Sequence, residues 1–283
     1  MRRLLLIVMD DRLDPSEDDG PAAEQILYGG VANAGAVTRS GDHVLRPSNR
    51  HSRSIHAMLA DIRSRGFAGA SLPVSIDPDG RERLVFVPGD VPLPPYPVWA
   101  RTDDALTSIA RLLRGLHDAS VDLVLDGTSW SGELADPLGG PVMCHNDVCL
   151  ENVVFRDGSA ITLLDFDFAA PGRRGFDLAA FARMCVPVDD RVSAARNGWD
   201  PVDVPARLRL VCDSYGCGAA GRSTVLACLS DAIGRGGEFV RRRVDAGKLP
   251  FIEMWEAMGG QERFDRRRRW WATIVDDVAA ALG

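Results

Sequence analysis

The clearest periodic pattern in the chain lies between Thr102 and His117. Apolar residues recur there at the three- and four-residue spacing of one helix face, at Ala105, Leu106, Ile109, Leu112, Leu113 and Leu116. Thr102 is a typical N-cap, and the two aspartates that follow it suit the positive end of a helix dipole. The pattern predicts an amphipathic helix, with a structural role for His117 at its end.

Short apolar runs predict strands on either side of this helix. Two Asp-Gly dipeptides, at 79–80 and 157–158, each lie between such runs and are typical of hairpin turns. Residues 26–39 are rich in glycine, which by itself indicates an ordinary glycine turn, and a strand over residues 42–47 follows. Strands come early in the chain, and helical patterns dominate later.

The order of these patterns predicts a chain of two lobes. A Pro-rich stretch over residues 88–99 marks the boundary between them. We expect a poorly ordered tail over residues 1–24, a small lobe over 25–90 and a large lobe over 91–283. A length of 283 residues is ample for two such units.

Composition and charge restrict the possible partners. The chain is 46% hydrophobic and 26% charged, has no apolar run of about 18 residues and carries a net charge of −7. We therefore expect no membrane span and no nucleic-acid partner, since phosphate binding uses clustered positive charge. The apolar run from Leu4 to Met9 is too short for a signal peptide, so we expect a cytoplasmic protein. An acidic surface would suit a cationic ligand.

The six cysteines include no C-x-x-C pair, and a chain of this length needs no disulfides. We expect buried free thiols. A redox-sensitive thiol is the alternative for Cys149, because this residue lies in the motif described next.

The segment over residues 142–169 carries the strongest candidate chemistry. His145, Asp147 and Asn152 have the spacing H-x-D-x4-N, and Asp165 follows thirteen residues later. Apolar runs on both sides place these polar residues on a loop and at a strand end. Phosphoryl transfer from ATP needs a carboxylate to receive a hydroxyl proton and oxygen ligands to hold Mg²⁺ on the phosphates. Asp147 suits the first task, and Asn152 with Asp165 suits the second.

The strings HNDVCLEN and LLDFDFAAPGRRGFDLAAF resemble the aminoglycoside phosphotransferase family, whose pattern is H-G-D-x4-N, then I-D-[WF], then an aspartate at a helix start. Asn146 takes the place of the usual glycine. The resemblance implies that Asp177, in a short helix over 176–184, braces the catalytic loop. We expect His145 to support this loop structurally, and a role as proton carrier is the alternative. The resemblance leaves two roles open for Asp167: a second Mg²⁺ or the loop itself.

The resemblance also implies an α+β, protein-kinase-like fold. Its small lobe is a mostly antiparallel sheet with one helix, its large lobe is mainly helical, and ATP lies between them. The hairpin at 26–39 would cover the nucleotide, and the backbone of Val87 would meet the adenine. The glycines that would approach the phosphates are Gly29, Gly30 and Gly35.

Nearly all positive charge in the chain is arginine, with 32 Arg and the single Lys248. The lack of any other lysine excludes a Walker A loop. It also excludes the lysine that kinases usually carry on the third strand, and Arg46 occupies that position here. In the family that lysine pairs with a Glu of the next helix. The helix predicted over 54–65 has no Glu, and both His56 and Asp61 could face Arg46 instead.

We therefore expect an ATP-dependent phosphotransferase that acts on a hydroxyl of a small molecule. Two acceptor classes stay open: an aminoglycoside-like antibiotic and another hydroxylated metabolite. Acids of the large lobe could hold a cationic acceptor, namely Asp189, Asp190, Glu253, Glu256, Glu262, Asp276 and Asp277. The alternative is a non-catalytic binding or self-protection protein, which the missing lysine favours. A protein kinase is a weaker option, because no A-P-E follows Asp165. Both a monomer and a homodimer are compatible with the sequence.

Overall fold

A five-stranded antiparallel sheet with one helix forms the first lobe. The structure is a computed structural model, and it describes residues 24–27, 35–123, 125 and 127–283. The sheet order is β1-β2-β3-β5-β4, every neighbouring pair being antiparallel. The elements are β1 (Gln25–Ile26), β2 (Thr38–Ser40), β3 (His43–Pro47), α1 (Ser52–Ser64), β4 (Pro73–Ile76) and β5 (Arg81–Val85).

Local sequence explains these elements. The buried stripe of α1 consists of residues at helical spacing, Ile55, Met58, Leu59 and Ile62, each no more than 3% exposed. Gly80 adopts a φ of 85° in the turn that joins β4 to β5. β1 and β2 pair as predicted for the hairpin over 26–39, but Gly29 and Gly30 lie outside the described residues.

The second lobe is mainly helical. Its helices are α2 (Asp103–Ala119), α3 (Arg174–Cys185), α4 (Arg191–Arg196), α5 (Val204–Tyr215), α6 (Ala219–Asp245), α7 (Leu249–Met258) and α8 (Gly260–Leu282). The predicted N-cap of α2 is present, since Thr102 Oγ1 accepts a hydrogen bond of 3.1 Å from Ala105 N. The predicted stripe of α2 is buried apart from the partly exposed Leu112. None of the described helices has the length and apolar character needed to cross a bilayer.

Two short antiparallel ribbons connect the helices to the site. β6 (Val142–Cys144) pairs with β9 (Ala170–Gly172), and β7 (Val153–Arg156) pairs with β8 (Ser159–Leu163). The turn between β7 and β8 has positive φ at Asp157 and Gly158, as a two-residue hairpin of this twist requires. The candidate residues therefore lie on two connections: one from β6 to β7 and one from β8 to β9.

The fold class predicted from the sequence is confirmed, with a small antiparallel sheet lobe followed by a helical lobe. The chain passes between the lobes through the Pro-rich stretch, where Asp90 and Phe155 exchange backbone hydrogen bonds of 2.8 Å. This bridge ties the connecting segment to β7. Across the boundary between the lobes, Arg46 of β3 contacts Asp165 on the connection from β8 to β9.

Candidate active site

Asp177 holds the start of the catalytic loop. Its Oδ2 accepts hydrogen bonds from His145 N (2.7 Å) and His117 Nε2 (3.0 Å), and its Oδ1 accepts one from Asn146 N (2.7 Å). Burial alone would raise the pKa of Asp177, but these donors and the nearby imidazoles lower it below its ordinary value. His117 in turn contacts the Tyr215 hydroxyl at 2.7 Å. The loop is thus anchored to three helices: α2, α3 and α5.

His145 connects the two halves of the site. Its Nε2 lies 2.8 Å from Leu164 O, and its Nδ1 accepts a hydrogen bond of 3.3 Å from Asp147 N. Burial lowers the pKa of His145, so the ring is neutral and can donate to one partner while accepting from the other. The ring therefore sets the position of Asp147 relative to the residue before Asp165.

Asn146 occupies a backbone conformation that explains why glycine is usual at this position. Its φ is 66°, in the left-handed region, where asparagine is tolerated far better than most other residues with a side chain. The side chain is also used, since Nδ2 donates to Phe168 O at 2.8 Å. Asp165 likewise has a φ of 59°. The connection from β6 to β7 and the connection from β8 to β9 therefore each contain a residue in the left-handed backbone conformation.

Asp147 and Asn152 lie side by side. Asn152 Nδ2 donates to Asp147 O at 2.9 Å and lies 3.4 Å from Asp147 Oδ2. Burial raises the pKa of Asp147 to about 7, repulsion from Asp165 adds to the rise, and Arg183 offsets part of it. A carboxylate with this pKa is well suited to exchange a proton near neutral pH.

Arg46 joins the two lobes through three carboxylates. Its Nε donates to Glu82 Oε2 at 2.5 Å, its Nη1 donates to Asp165 Oδ1 at 2.9 Å, and its Nη2 donates to Asp167 Oδ1. Burial disfavours the charged guanidinium, but the three carboxylates raise the pKa of Arg46 above its ordinary value. Arg46 thus occupies the lysine position and directly contacts two of the predicted site residues.

The acidic partner of Arg46 corrects a sequence-based expectation. Glu82 stands directly opposite Arg46 in the β3–β5 pairing, whereas the expected partners were His56 and Asp61 of α1. Asp61 instead pairs with Arg65 at 2.6 Å, and His56 Nε2 lies 3.6 Å from Glu82 Oε1. The neighbouring strand, and not the helix, supplies the counter-charge. No local sequence signal identifies it, because the contact depends on the register of two strands that are distant in sequence.

The charges of this network shift the pKa values of its members in opposite directions. Burial would raise the pKa of Glu82, but the adjacent His56 and Arg46 hold it at about 2. Burial raises the pKa of Asp167 to about 6, with repulsion from Asp165 adding to the rise and Arg46 opposing it. Glu82 is therefore a firmly ionised anchor. Asp167 titrates more easily.

The residues predicted to hold Mg²⁺ have the required donor atoms. The amide nitrogen of Asn152 is committed to Asp147, which leaves its amide oxygen for a cation. Asp165 gives one carboxylate oxygen to Arg46 and is 38% exposed, so its second oxygen can bind an ion. Carboxylate and amide oxygens are ligands that Mg²⁺ accepts in proteins. The residues present fit this metal.

Gly35 and Val87 are the predicted nucleotide contacts that lie within the described residues. Gly35 is exposed with a φ of 79°, and Val87 lies two residues after the end of β5. Their contacts with a nucleotide stay predictions. Cys149 is buried, and burial raises the pKa of its thiol, so the structure does not favour a reactive thiolate. The charge of Arg183 acts on Asp147, and this arginine was not singled out from the sequence because only the fold brings the two residues near each other.

The chain is similar to proteins of known families. A family model for a phosphotransferase enzyme family matches residues 129–211. The chain is also 31% identical, over 186 residues, to the trifolitoxin immunity protein of Rhizobium leguminosarum bv. trifolii. That alignment covers 64% of this chain and 70% of the relative.

Solved structures show the same fold. A choline/ethanolamine kinase family protein from Mesorhizobium loti has a TM-score of 0.61 at 15% identity, with 93% of this chain and 92% of that chain covered. APH(2″)-IIa, solved with gentamicin, has a TM-score of 0.56 at 12% identity, with 86% and 93% covered. The same protein solved with streptomycin and ATP gives a TM-score of 0.53 at 13% identity, with the same shares covered. The fold is therefore the kinase-like one that these proteins share.

Proposed function

Because this chain belongs to the phosphotransferase enzyme family that includes the aminoglycoside phosphotransferases, we propose that it transfers a phosphoryl group from ATP to a hydroxyl of a small molecule. The observation that carries this proposal is the side-by-side placement of Asp147 and Asn152 on a loop anchored by Asp177. Asp165 comes close enough to repel the charge of Asp147. A proton acceptor and two oxygen ligands are the protein groups that this reaction needs.

Asp147 is the proton acceptor in this proposal. Its carboxylate would orient the acceptor hydroxyl and take its proton as the phosphoryl group moves in line toward the oxygen. Anchoring by His145 and Asp177 keeps the carboxylate in place, and such fixed positioning supplies much of the rate of a reaction of this type.

Arg46 is proposed to bind nucleotide phosphate. Its planar guanidinium can offer two donors to phosphate oxygens and cannot lose its charge. Glu82 holds its Nε end in place, so the Nη atoms, now on Asp165 and Asp167, are the ones that can turn to phosphate. Bound Mg²⁺, held by Asn152 and Asp165, would neutralise charge on the phosphates.

Substitution of Asp147 tests the proposal. We expect Asp147→Ala to lower the rate of ATP-dependent phosphorylation by at least about 100-fold, since general-base contributions are of this size. ATP affinity should stay nearly unchanged because Asp147 contacts the acceptor. The full chain would be incubated with Mg²⁺, ATP or GTP and a panel of aminoglycosides, peptide antibiotics, sugars and amino alcohols, with product read by mass spectrometry.

Asp231→Asn is the matched control, because Asp231 is exposed on α6 and carries the same charge. This variant should keep full activity. Undiminished phosphorylation by Asp147→Ala would contradict the assignment of the proton acceptor.

A second candidate function is self-protection by binding without turnover. The name of the immunity protein relative favours it, as does the use of Arg46 in ion pairs with Asp165 and Asp167. Protection of cells by the Asp147→Ala variant, at the level of the natural chain, would support this second candidate. Loss of protection would support phosphotransfer.

A further inference from the structure

The C-terminal end of α5 brings two cysteines together. Gly216 ends the helix with a φ of 85°, in the left-handed region. Gly216 N donates to Asp213 O at 3.1 Å, and Cys217 N donates to Cys212 O at 2.8 Å. These two hydrogen bonds define a Schellman motif, which commonly places the side chains of the residues joined by its longer-range bond in contact. Those residues are Cys212 and Cys217.

The two thiols form a hydrogen bond with each other and differ in exposure. Cys217 is partly exposed, whereas Cys212 and the other four cysteines are buried. The hydrogen bond from the Cys212 thiol lowers the pKa of Cys217; burial opposes that fall, and the charges of Arg222 and Arg114 add to it. The same hydrogen bond raises the pKa of Cys212. An accessible thiol with a lowered pKa, beside a second thiol, is the arrangement that favours reversible oxidation.

Metal binding does not account for this thiol pair. Within the described part of the chain, the group of His, Cys, Asp and Glu side chains close enough to share an ion consists of His117, Cys144 and Asp177. Neither thiol of the pair belongs to that group. A structural zinc site takes four protein ligands, so two thiols alone would leave it incomplete.

We propose that Cys217 and Cys212 form a site of reversible oxidation, at which a peroxide converts the two thiols into an intramolecular disulfide. Two cysteines can be bridged without backbone movement only when they are close and their side chains face each other. The backbone hydrogen bond between them meets the first condition, and the contact between the thiols meets the second. The inference goes beyond the proposed function, since the pair lies at the end of α5, outside the catalytic loop.

The exposure of the two thiols gives each a separate part in the reaction. The Cys217 thiolate attacks one oxygen of hydrogen peroxide and becomes the sulfenic acid, while the O–O bond breaks and the other oxygen takes up a proton and leaves as water. The Cys212 thiol then attacks the sulfenic sulfur, which forms the S–S bond and releases a second water. In total, two thiols are oxidised to one disulfide, and one peroxide is reduced to two waters.

Peroxide treatment of the full, reduced chain tests the inference. Trypsin cleaves after Arg209 and Arg222, and the resulting peptide, residues 210–222, holds both cysteines of the pair and no other. We expect this peptide to lose two hydrogen atoms, to resist alkylation by iodoacetamide and to regain both thiols with dithiothreitol, as mass spectrometry would show. Its oxidation should be at least about 10-fold faster than that of the other four cysteines, because those are buried.

Two substitutions separate the parts that the thiols take. Cys217→Ala removes the nucleophile, so the remaining thiol should react with peroxide no faster than the other buried cysteines. Cys212→Ala should stop the reaction at the sulfenic acid of Cys217, which dimedone traps. Cys228→Ala removes a buried thiol of α6 and is the control, and this variant should form the disulfide as the natural chain does.

The natural chain decides the inference without any substitution, so a variant that fails to fold does not obscure the result. Complete alkylation of the 210–222 peptide after peroxide treatment would overturn it. A disulfide between two chains, or a bridge from this peptide to another cysteine, would overturn it as well. Dimedone labelling of Cys212→Ala that is no greater than that of Cys217→Ala would show that Cys217 is not the oxidised thiol.

Discussion

Glu82 is a buried carboxylate whose ionisation depends on Arg46, the residue opposite it in the β3–β5 pairing. Arg46 and His56 lower its pKa from 4.5 to about 2. A carboxyl group with a lowered pKa in the folded state stabilises the fold above its unfolded pKa. That contribution is lost as the pH falls from about 4.5 to 2. At neutral pH it amounts to at most about 3 kcal/mol.

We expect Glu82→Gln to reduce the free energy of unfolding at pH 7, because Arg46 loses an ionised partner. The difference from the natural chain should shrink as the pH falls below about 4.5, and urea unfolding at a series of pH values would measure it. Glu253→Gln removes an exposed acid and serves as the control. A difference that stays constant from pH 7 to pH 3 would show that the charge of Glu82 is not what stabilises the fold.

The residue scale also shows which residues a sequence can single out. Asp147, Asn152 and Asp165 could be proposed because a local spacing identifies them, and the Asp157-Gly158 turn between them is a local signal. Glu82 could not be chosen, since its contact with Arg46 depends on the register of two strands that are distant in sequence. The register is set by packing of the whole sheet.

At the scale of elements, the glycines of α6 differ in how closely neighbouring side chains approach them. A Cβ at Gly237 would lie 2.5 Å from Phe264 Cδ1 of α8, which shows that this glycine permits a close approach of the two helices. Gly234 has no comparable contact and only lowers helix propensity. A short glycine-rich run thus combines one residue required for packing with one that is not.

We expect Gly234→Ala to stabilise the protein by about 0.5–1 kcal/mol and Gly237→Ala to destabilise it by about 1–3 kcal/mol. Alanine improves helix propensity at both positions, so the difference reports the contact with Phe264. Chemical denaturation of the two variants measures it directly. Equal stabilisation by both substitutions would mean that α6 and α8 can separate at no cost.

At the scale of the whole molecule, Arg46 couples the lobes to the proposed metal site. The same guanidinium that holds β3 against the large lobe also contacts Asp165, a proposed Mg²⁺ ligand. The two-lobed fold and its helical large lobe could be predicted because helix and turn patterns are local. The coupling could not be predicted, because the contact between Arg46 and Asp165 forms only when both lobes are in place.

We expect the double variant Arg46→Gln/Glu82→Gln to bind Mg²⁺ alone more tightly than Glu82→Gln does, since Asp165 no longer has a competing partner. Metal-free nucleotide should bind about 10-fold more weakly, because a charged donor to phosphate is lost. Calorimetry measures both affinities, and Arg53→Gln, an exposed change on α1, is the control. Unchanged Mg²⁺ affinity would indicate that Arg46 leaves Asp165 accessible.

Arg46, in the proposed nucleotide site, also determines which covalent reagents can react there. The single lysine of the chain, Lys248, lies between α6 and α7, so acylating reagents and aldehyde-bearing nucleotide probes find no amine at the β3 position. A dicarbonyl such as phenylglyoxal reacts with guanidinium groups instead. Activity-based profiling with amine-reactive ATP probes would therefore overlook this protein in a proteome, even while its nucleotide site was fully functional.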